Sequence, residues 1–230
     1  MSVATRYSRI AEEVACACRE VGRDPREVVL VAVSKTVDAE VVGQAVSAGA
    51  HDFGENRPDG LEEKQAAYPD ATWHFIGNIQ SRRIADIVRR ADLIHSLYEE
   101  RHADRIDAAA EALGKVQDVL LEVNVSGEES KSGLTPEDVS ALLAHCLKLE
   151  HVRVCGLMTM APQGDLEVAR KSFEDLRIVR DKLKAEHCEC SDPQFMRDLS
   201  MGMSEDWREG VRAGATIVRI GRAIFDDTFE

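Results

Sequence analysis

Strand-like and helix-like segments alternate along the whole chain. Residues 3–21 have the spacing of an amphipathic helix, and residues 28–35 (VVLVAVSK) form a β-branched apolar run that is typical of a strand buried on both faces. Similar patterns predict seven further strands, at 51–56, 72–77, 93–97, 118–125, 152–160, 195–204 and 215–221. Residues that favour helix N-termini precede three of the intervening helices: Asp38, Thr135 with Pro136, and Ser204. Further helices are predicted at 79–90 and 165–186.

Eight strands separated by helices can form an open doubly wound sheet or a closed barrel. The short links between the repeats favour a single (β/α)₈ TIM barrel, preceded by the extra N-terminal helix. No low-complexity linker divides the chain, so residues 1–230 are predicted to form one domain.

Composition and charge narrow the function. The chain is 44% hydrophobic and 31% charged, which excludes disordered and collagen-like proteins. With 29 basic and 42 acidic residues the net charge is −13, so general nucleic-acid binding is not expected, whereas one anionic ligand in a local pocket is compatible. The longest apolar run, Val28–Val33, is too short to cross a membrane, and the N-terminus lacks a signal core; a cytoplasmic protein is expected.

Six cysteines are present, and four of them form two C-x-C pairs. This spacing does not match a strong zinc signature, so no metal site is expected. Cys16 and Cys18 point to different sides of the predicted helix. Cys188 and Cys190 are therefore the better candidates if a metal binds.

In a barrel the functional side chains lie where the strands end. Lys35 ends the first predicted strand in alternation with Val29, Val31 and Val33, which places it on the same packed face. An ammonium group on a packed face is costly to desolvate, and buried lysines are suited to Schiff-base chemistry. The alternative is a lysine whose long side chain reaches solvent at the strand end.

A second candidate site lies near the C-terminus. The segment LSMGMSEDWREG places a glycine-containing loop before a helix, and barrels often bind phosphate in the loops after strands seven and eight. Glu205 and Asp206 oppose this interpretation, since they would repel phosphate and leave an ordinary helix cap. Arg219 ends an apolar strand and needs a buried partner, either a ligand atom or an acid such as Asp206 or Glu55.

These residues together match the needs of one cofactor, pyridoxal 5′-phosphate (PLP). Its aldehyde would take Lys35, its phosphate the 200–204 loop with Gly221, and its pyridine nitrogen Arg219. His74, within TWHFIG, is either near this ligand or an ordinary hydrogen-bonded core histidine.

The chain resembles the pyridoxal phosphate homeostasis protein family, single-domain relatives of the N-terminal domain of alanine racemase. The similar segments run nearly end to end: VAVSKT, FGEN, WHFIGNIQ, EVNVSGEESKSGL, GLMTM, LSMGMSEDW and VRIGRAIF. The resemblance implies a PLP-binding barrel with the cofactor held as a Schiff base on Lys35. By motif it also implies cofactor-binding roles for the following residues: Asn56, His74, Met158, Ser200, Met203, Ser204, Arg219 and Gly221.

Three segments depart from the family pattern: 57–60 (RPDG), 81–83 (SRR) and 226–227 (DD). The second keeps positive charge but lacks the family's asparagine–lysine pair, which puts a lysine-mediated transfer of PLP from that helix in doubt. Lys131, in SGEESKSG, is retained.

The family resemblance implies a protein without robust catalysis that carries or buffers PLP and supports vitamin B6 and amino-acid/keto-acid balance. An arginine at the ring nitrogen disfavours pyridine protonation, and the chain has no room for the second domain that supplies a base in alanine racemases. The alternatives are a weak PLP-dependent racemase and a metal-dependent barrel hydrolase. The expected partners are PLP and recipient apo-enzymes, without nucleic acid or membrane, and the expected state is a monomer or weak dimer.

Overall fold

The computed structural model describes residues 1–128 and 131–229. Eight strands form a closed parallel barrel in sequence order, which confirms the predicted fold class. Pairing of the last strand with the first, with Arg219 opposite Val31, closes it. The strands are β1 (Val29–Val33), β2 (Asp52–Glu55), β3 (Thr72–Phe75), β4 (Leu93–Leu97), β5 (Gln117–Glu122), β6 (Val152–Met158), β7 (Asp198–Ser200) and β8 (Ile217–Ile220).

Helices follow the strands and surround the barrel, and an additional helix precedes it. Two short 3₁₀ turns, Pro25–Glu27 and Ser81–Arg83, precede β1 and the fourth helix. The α-helices are α1 (Val3–Glu20), α2 (Ala39–Ser47), α3 (Pro58–Ala67), α4 (Ile84–Arg90), α5 (Glu100–Ala112), α6 (Val139–Cys146), α7 (Leu166–Glu186), α8 (Trp207–Ala213) and α9 (Arg222–Phe225).

The predicted helix starts are partly confirmed. The Asp38 carboxylate accepts the Val41 N–H at 2.9 Å, and the Asp165 carboxylate caps α7 in the same way. The predictions for Thr135 and Ser204 are wrong, because α6 begins only after Asp138 and α8 only after Asp206. The Thr135 hydroxyl instead donates to the Asp138 carboxylate at 2.7 Å.

Most strands are shorter than their apolar patterns suggest. The strand predicted at 28–35 ends at Val33, and those predicted at 118–125 and 152–160 end at Glu122 and Met158. The helix predicted at 79–90 begins at Ile84, since residues 81–83 form the 3₁₀ turn. A strand ends where its backbone no longer pairs with a neighbouring strand, and the sequence pattern of one segment does not show where that happens.

Two apolar layers hold the fold together. The larger lies between the strands and the helices and contains the bulkiest buried side chains, including Phe53, Trp73, Phe75 and Phe173. The smaller lies inside the barrel and consists of Val31, Val33, Leu93, Leu120, Cys155, Met158 and Ile217. Outside the barrel, the N-terminal helix α1 packs against α2, α8 and α9, and its Arg6 side chain donates to the Ile224 carbonyl at 2.6 Å.

One irregularity changes which side chains of β6 face inward. Val119 of β5 pairs with Val154, but its neighbour Leu120 pairs with Gly156, so Cys155 is an extra residue in the strand. As a result Cys155 and Met158 both belong to the inner layer, although they are three residues apart. Gly156 is required here because a Cβ at this position would lie 1.9 Å from the Asp198 carbonyl oxygen.

Two kinds of feature, a membrane-spanning helix and a metal-binding cluster, are absent from the residues that the structure describes. No helix within 1–128 or 131–229 is long and apolar enough to cross a membrane. The same ranges contain no group of three His, Cys, Asp or Glu side chains arranged to hold a metal ion. Cys188 is exposed, Cys190 is partly buried, and both are free thiols.

Candidate cofactor site

A cavity of about 370 Å³ opens at the carboxyl ends of the strands. This is the end at which the βα loops of a barrel build functional sites. Its wall combines the ends of several strands with the loops that follow them, and it consists of Val33, Lys35, Asn56, Ile76, Gly77, Asn78, Met158, Met160, Gln163, Met203, Ser204, Glu205, Asp206, Arg219, Gly221 and Arg222. Seven of the nine predicted site residues therefore line one cavity.

Lys35 lies in the turn that follows β1, and its side chain is exposed on the cavity wall. The expectation of a desolvated lysine on the packed face is wrong, because β1 ends at Val33 and Lys35 is beyond the closed part of the barrel. The alternation itself holds, since Val31 and Val33 face the interior. Lys35 is thus accessible to a ligand rather than buried.

A buried ion pair anchors the turn that carries Lys35. Lys64 of α3 donates to the Glu55 carboxylate at 2.5 Å and to the Ser34 carbonyl at 2.8 Å. The Ser34 hydroxyl donates to the same Glu55 oxygen at 2.6 Å. Both side chains of the ion pair are almost completely buried. The residue directly before Lys35 is therefore fixed through both its side chain and its backbone.

Arg219 reaches the cavity from β8 and is only 4% exposed. Its guanidinium donates to the Ser200 hydroxyl at 2.5 Å and to the Thr159 carbonyl at 3.0 Å. Burial lowers its pKa to about 10, although the nearby Asp206 and Glu122 carboxyls oppose that shift. The guanidinium remains charged at neutral pH and offers its remaining donors to a ligand.

The loop after β7 and the segment after β8 contact each other at the cavity wall. The Ala223 N–H donates to the Ser204 hydroxyl oxygen at 3.4 Å, and Ser204 and Gly221 both line the wall. The Ala223 N–H is therefore taken by Ser204, and the Ile224 N–H donates to the Gly221 carbonyl at 3.0 Å, so the Arg222 N–H is the donor that the start of α9 offers beside Gly221. This pair of loops could hold a small anion.

The two acidic residues in this region, Glu205 and Asp206, already have partners within the protein. Glu205 forms an ion pair with Arg222 at 2.8 Å, which compensates its charge. The Asp206 carboxylate accepts the Met203 N–H at 2.6 Å, and burial raises its pKa. Their opposition to an anionic ligand is thus weaker than the sequence suggests.

Asn56 offers an unsatisfied polar atom to the cavity. Its Oδ1 is buried and has no hydrogen-bond partner within the described part of the chain. Gly77 packs directly against its backbone, since a Cβ on Gly77 would lie 2.1 Å from the Asn56 carbonyl oxygen. Met158 supplies an apolar, almost fully buried surface of the same cavity. An organic ligand with a polar edge fits this combination.

The two remaining predicted residues, His74 and Ser200, do not line the cavity. Both are buried inside the barrel, where His74 contacts His95 at 2.9 Å and Ser200 contacts the other side of His95 at 2.9 Å. The hydrogen-bonded core histidine that the sequence left open is therefore the correct description of His74. Ser200 contacts Arg219, which does line the cavity.

Sequence reasoning missed four polar residues of this region. Asn78 and Arg222 lie within the motifs WHFIGNIQ and VRIGRAIF, Gln163 lies in a loop, and all three line the wall. Glu122 is buried at the end of β5, and its Oε2 has no hydrogen-bond partner among residues 1–128 and 131–229. Its position at a strand end was the available signal, but the apolar run beyond it made the strand appear to end at Val125. Burial raises the pKa of Glu122 to about 7 against the attraction of Arg219.

Comparison with known proteins gives matches over nearly the whole chain. The family described as alanine racemase, N-terminal domain, matches residues 7–228. A pyridoxal phosphate homeostasis protein of Aquifex aeolicus is 39% identical over 230 residues, which cover 99% of both chains. The corresponding protein of Pseudomonas aeruginosa is 37% identical over 97% of this chain and 95% of its own. The chain belongs to the pyridoxal phosphate homeostasis protein family.

Solved structures agree with the family assignment. A protein of unknown function from Bifidobacterium adolescentis superposes with a TM-score of 0.88 at 33% identity, covering 97% of this chain and 94% of that one. PipY of Synechococcus elongatus, solved with PLP bound, superposes with a TM-score of 0.81 at 33% identity, over 97% of this chain and 100% of PipY. Alanine racemase of Clostridium difficile, at 15% identity and TM-score 0.73, shares the fold.

Two of the departures from the family pattern contact each other. Asp59, in the 57–60 segment, forms an ion pair with Arg83, in the 81–83 segment, and Arg83 also pairs with Asp86 at 2.7 Å. Ser81 hydrogen-bonds the buried His102 ring at 3.0 Å. The third departure is local, since the Asp226 carboxylate accepts the Thr228 N–H at 2.9 Å. Arg83 is thus committed to a surface ion-pair cluster.

Proposed function

We propose that this chain binds PLP in the cavity, covalently through Lys35, and serves as a carrier or buffer in vitamin B6 and amino-acid/keto-acid homeostasis. The observation that carries the proposal is the placement of an accessible lysine and a buried arginine on one cavity that also holds an unsatisfied amide oxygen. The names of the relatives and the PLP-bound PipY structure support the choice of ligand.

Each part of the wall suits one part of PLP. PLP supplies an aldehyde and an electron-withdrawing pyridine ring. The Lys35 amine would form a C=N bond with the aldehyde carbon, with loss of water. Ser204, Gly221 and the start of α9 would receive the phosphate, and Arg219 would face the ring nitrogen. Asn56, Met158 and Met203 would surround the ring.

The wall supports binding better than catalysis. A racemase needs a second proton-transfer group on the opposite face of its substrate. Among the described residues, the cavity wall contains no His, Cys or Tyr, and its two acids are held by Arg222 and the Met203 N–H. A charged Arg219 at the ring nitrogen would also keep the pyridine unprotonated, which weakens its pull on electrons.

The direct test is retention of PLP after desalting. The wild type should keep an absorption band that borohydride traps on the peptide containing Lys35, whereas Lys35→Ala should lose it. Lys171→Ala is the matched control, because Lys171 is an exposed lysine of α7 that pairs with Asp175 and does not line the cavity. Loss of the band in both variants, or in neither, would contradict the assignment of Lys35.

A second measurement separates the carrier from a racemase. The PLP-loaded protein is incubated with alanine or serine in deuterium oxide, and exchange at the α-carbon and inversion are followed. We expect neither at ordinary enzyme rates. Inversion with enzyme-like turnover would establish the racemase instead.

A further inference from the structure

A row of hydrogen-bonded polar side chains crosses the inside of the barrel. Asp52 Oδ1 lies 3.1 Å from His74 Nε2, and His74 Nδ1 lies 2.9 Å from His95 Nε2. His95 Nδ1 lies 2.9 Å from the Ser200 hydroxyl, which in turn contacts Arg219 at 2.5 Å. These five residues come from β2, β3, β4, β7 and β8, so the row spans the width of the barrel.

The chemistry of the two ends of the row, with neutral imidazoles between them, gives every hydrogen bond one direction. A guanidinium only donates, so the Ser200 oxygen accepts from Arg219, and the Ser200 proton goes to His95 Nδ1, the one acceptor within hydrogen-bond distance of it among the described residues. His95 then carries its proton on Nε2 and donates it to His74 Nδ1. His74 in turn donates its Nε2 proton to the Asp52 carboxylate. Each neutral imidazole uses one donor and one acceptor.

We propose that Asp52, His74, His95 and Ser200 are positioning residues for Arg219. Their one-way row holds both imidazoles as neutral Nε2–H tautomers and fixes the guanidinium toward the cavity. The identity of the ligand that Arg219 meets rests on the proposed function, but the row itself does not. The row explains why His74 and Ser200 belong to the family's motifs although neither touches the cavity.

Burial supports the neutral state of the central ring. His95 has no exposed surface, and desolvation, with the charge of Arg219 acting in the same direction, lowers its pKa well below the usual value. A second proton on His95 would point a second donor at the Ser200 oxygen and take away the His95 acceptor from the Ser200 proton. The row therefore separates the buried cation at one end from a carboxylate at the other with neutral groups only.

The far end of the row meets a different part of the surface. The Asp52 side chain is 26% exposed and borders a second cavity, of about 330 Å³, together with Tyr7, Gly49 and His51. Asp52 does not belong to the wall of the cofactor cavity. The row links Asp52 to Arg219 through consecutive hydrogen bonds, so Asp52 tests the row at a distance from the ligand.

The first experiment reads the tautomers directly, on the ligand-free protein. Histidine labelled with ¹⁵N gives two-bond correlations that distinguish Nε2–H, Nδ1–H and doubly protonated rings. We expect His74 and His95 both to be Nε2–H tautomers at pH 7.5, with assignments from His74→Gln and His95→Gln. A different form at either ring would overturn the proposal whether or not the protein binds PLP.

The second experiment tests positioning from the far end. Asp52→Ala removes the terminal acceptor, whereas Asp52→Asn retains an amide oxygen that can accept the same proton. We expect Asp52→Ala to weaken PLP binding about tenfold and to shift the absorption band of bound PLP, because Arg219 loses its fixed orientation. Asp52→Asn should restore both. Wild-type affinity and spectrum in Asp52→Ala would overturn the proposal.

The third experiment cuts the row next to Arg219. Ser200→Ala should weaken PLP binding about tenfold to a hundredfold, since a hydrogen bond to a charged group is lost. His102→Gln is the matched control, because His102 is also a buried histidine but hydrogen-bonds Ser81 outside the row. Equal losses in the two variants would assign the effect to general destabilisation and contradict the row. Absence of PLP binding in the wild type would refute the proposed function, while the tautomers would still decide the row.

Discussion

The two faces of the same strands have different compositions. Outward faces pack against the helices with large apolar side chains such as Trp73 and Phe75 of β3, while His74 between them points into the barrel and is hydrogen-bonded on both sides. In β8, Val218 and Ile220 belong to the outer layer and Arg219 lies inside. The difference teaches that the outward faces of β3 and β8 stabilise the fold by apolar packing, whereas their inward faces carry buried, hydrogen-bonded polar side chains.

Removing a large side chain from the outer layer should produce the largest loss of stability. Trp73 is completely buried, stacks on Phe53 with ring centroids 5.3 Å apart, and donates its indole N–H to the Tyr68 carbonyl. Trp73→Ala should lower the free energy of unfolding by about 5 kcal/mol in urea titrations. The remaining folded protein should still retain PLP. A loss below about 2 kcal/mol would contradict the division between the two faces.

Breaking the buried ion pair below Lys35 should have the next largest effect. Lys64→Met leaves the Glu55 carboxylate buried without its cation, and we expect about 4 kcal/mol of destabilisation together with weaker retention of PLP. The double variant Lys64→Met with Glu55→Gln should recover part of the stability, because the uncompensated charge is gone. Additive losses in unfolding experiments would show that the two side chains do not act as a pair.

Glu122 tests the polar inner face with a substitution that should raise the free energy of unfolding rather than lower it. Burial raises the pKa of this carboxyl from 4.5 to about 7, so the folded state holds the proton more tightly than the unfolded chain does. The associated stability is complete below pH 4.5 and is lost as the pH rises through about 7. Glu122→Gln, which stays neutral, should therefore exceed the wild type by about 3 kcal/mol at pH 8.

The pH dependence provides the control for Glu122. At pH 5 the variant and the wild type should differ by less than about 1 kcal/mol, because most of the carboxyl is protonated in the folded state. Glu111→Gln, an exposed position in α5, should change the free energy of unfolding by less than about 0.5 kcal/mol at either pH. Equal stability of Glu122→Gln and wild type at pH 8 would refute the raised pKa.

The order of the elements was predictable because it depends on local patterns. β-branched runs such as VVLVAV mark strands that are buried on both faces, and eight of them with short links leave few architectures. The strand-end rule and the family resemblance together also located seven residues of the cavity wall, Lys35, Asn56 and Arg219 among them. Where a strand stops pairing is decided by its neighbours, which is why Lys35 was expected to be buried and is exposed.

The contacts between distant segments could not be read from the sequence. Nothing local indicates that His95 lies between His74 and Ser200, which are separated by more than a hundred residues. Likewise Asp59 and Arg83 look like two separate departures from the family pattern until the fold brings them together. Glu205 and Asp206 looked hostile to an anion because their partners, Arg222 and the Met203 N–H, are set by tertiary structure.

The extra residue in β6 exchanges the inward-facing and outward-facing positions in the part of the strand that follows it. Upstream of Cys155, every second side chain faces the helices; downstream the assignment is exchanged, which brings Met158 to the cavity. Regular pairing of all the residues of β6, without the irregularity, would instead turn Leu157 inward and Met158 toward the helices. The irregular pairing in β6 is therefore as important for placing Met158 at the ligand site as the identity of that side chain.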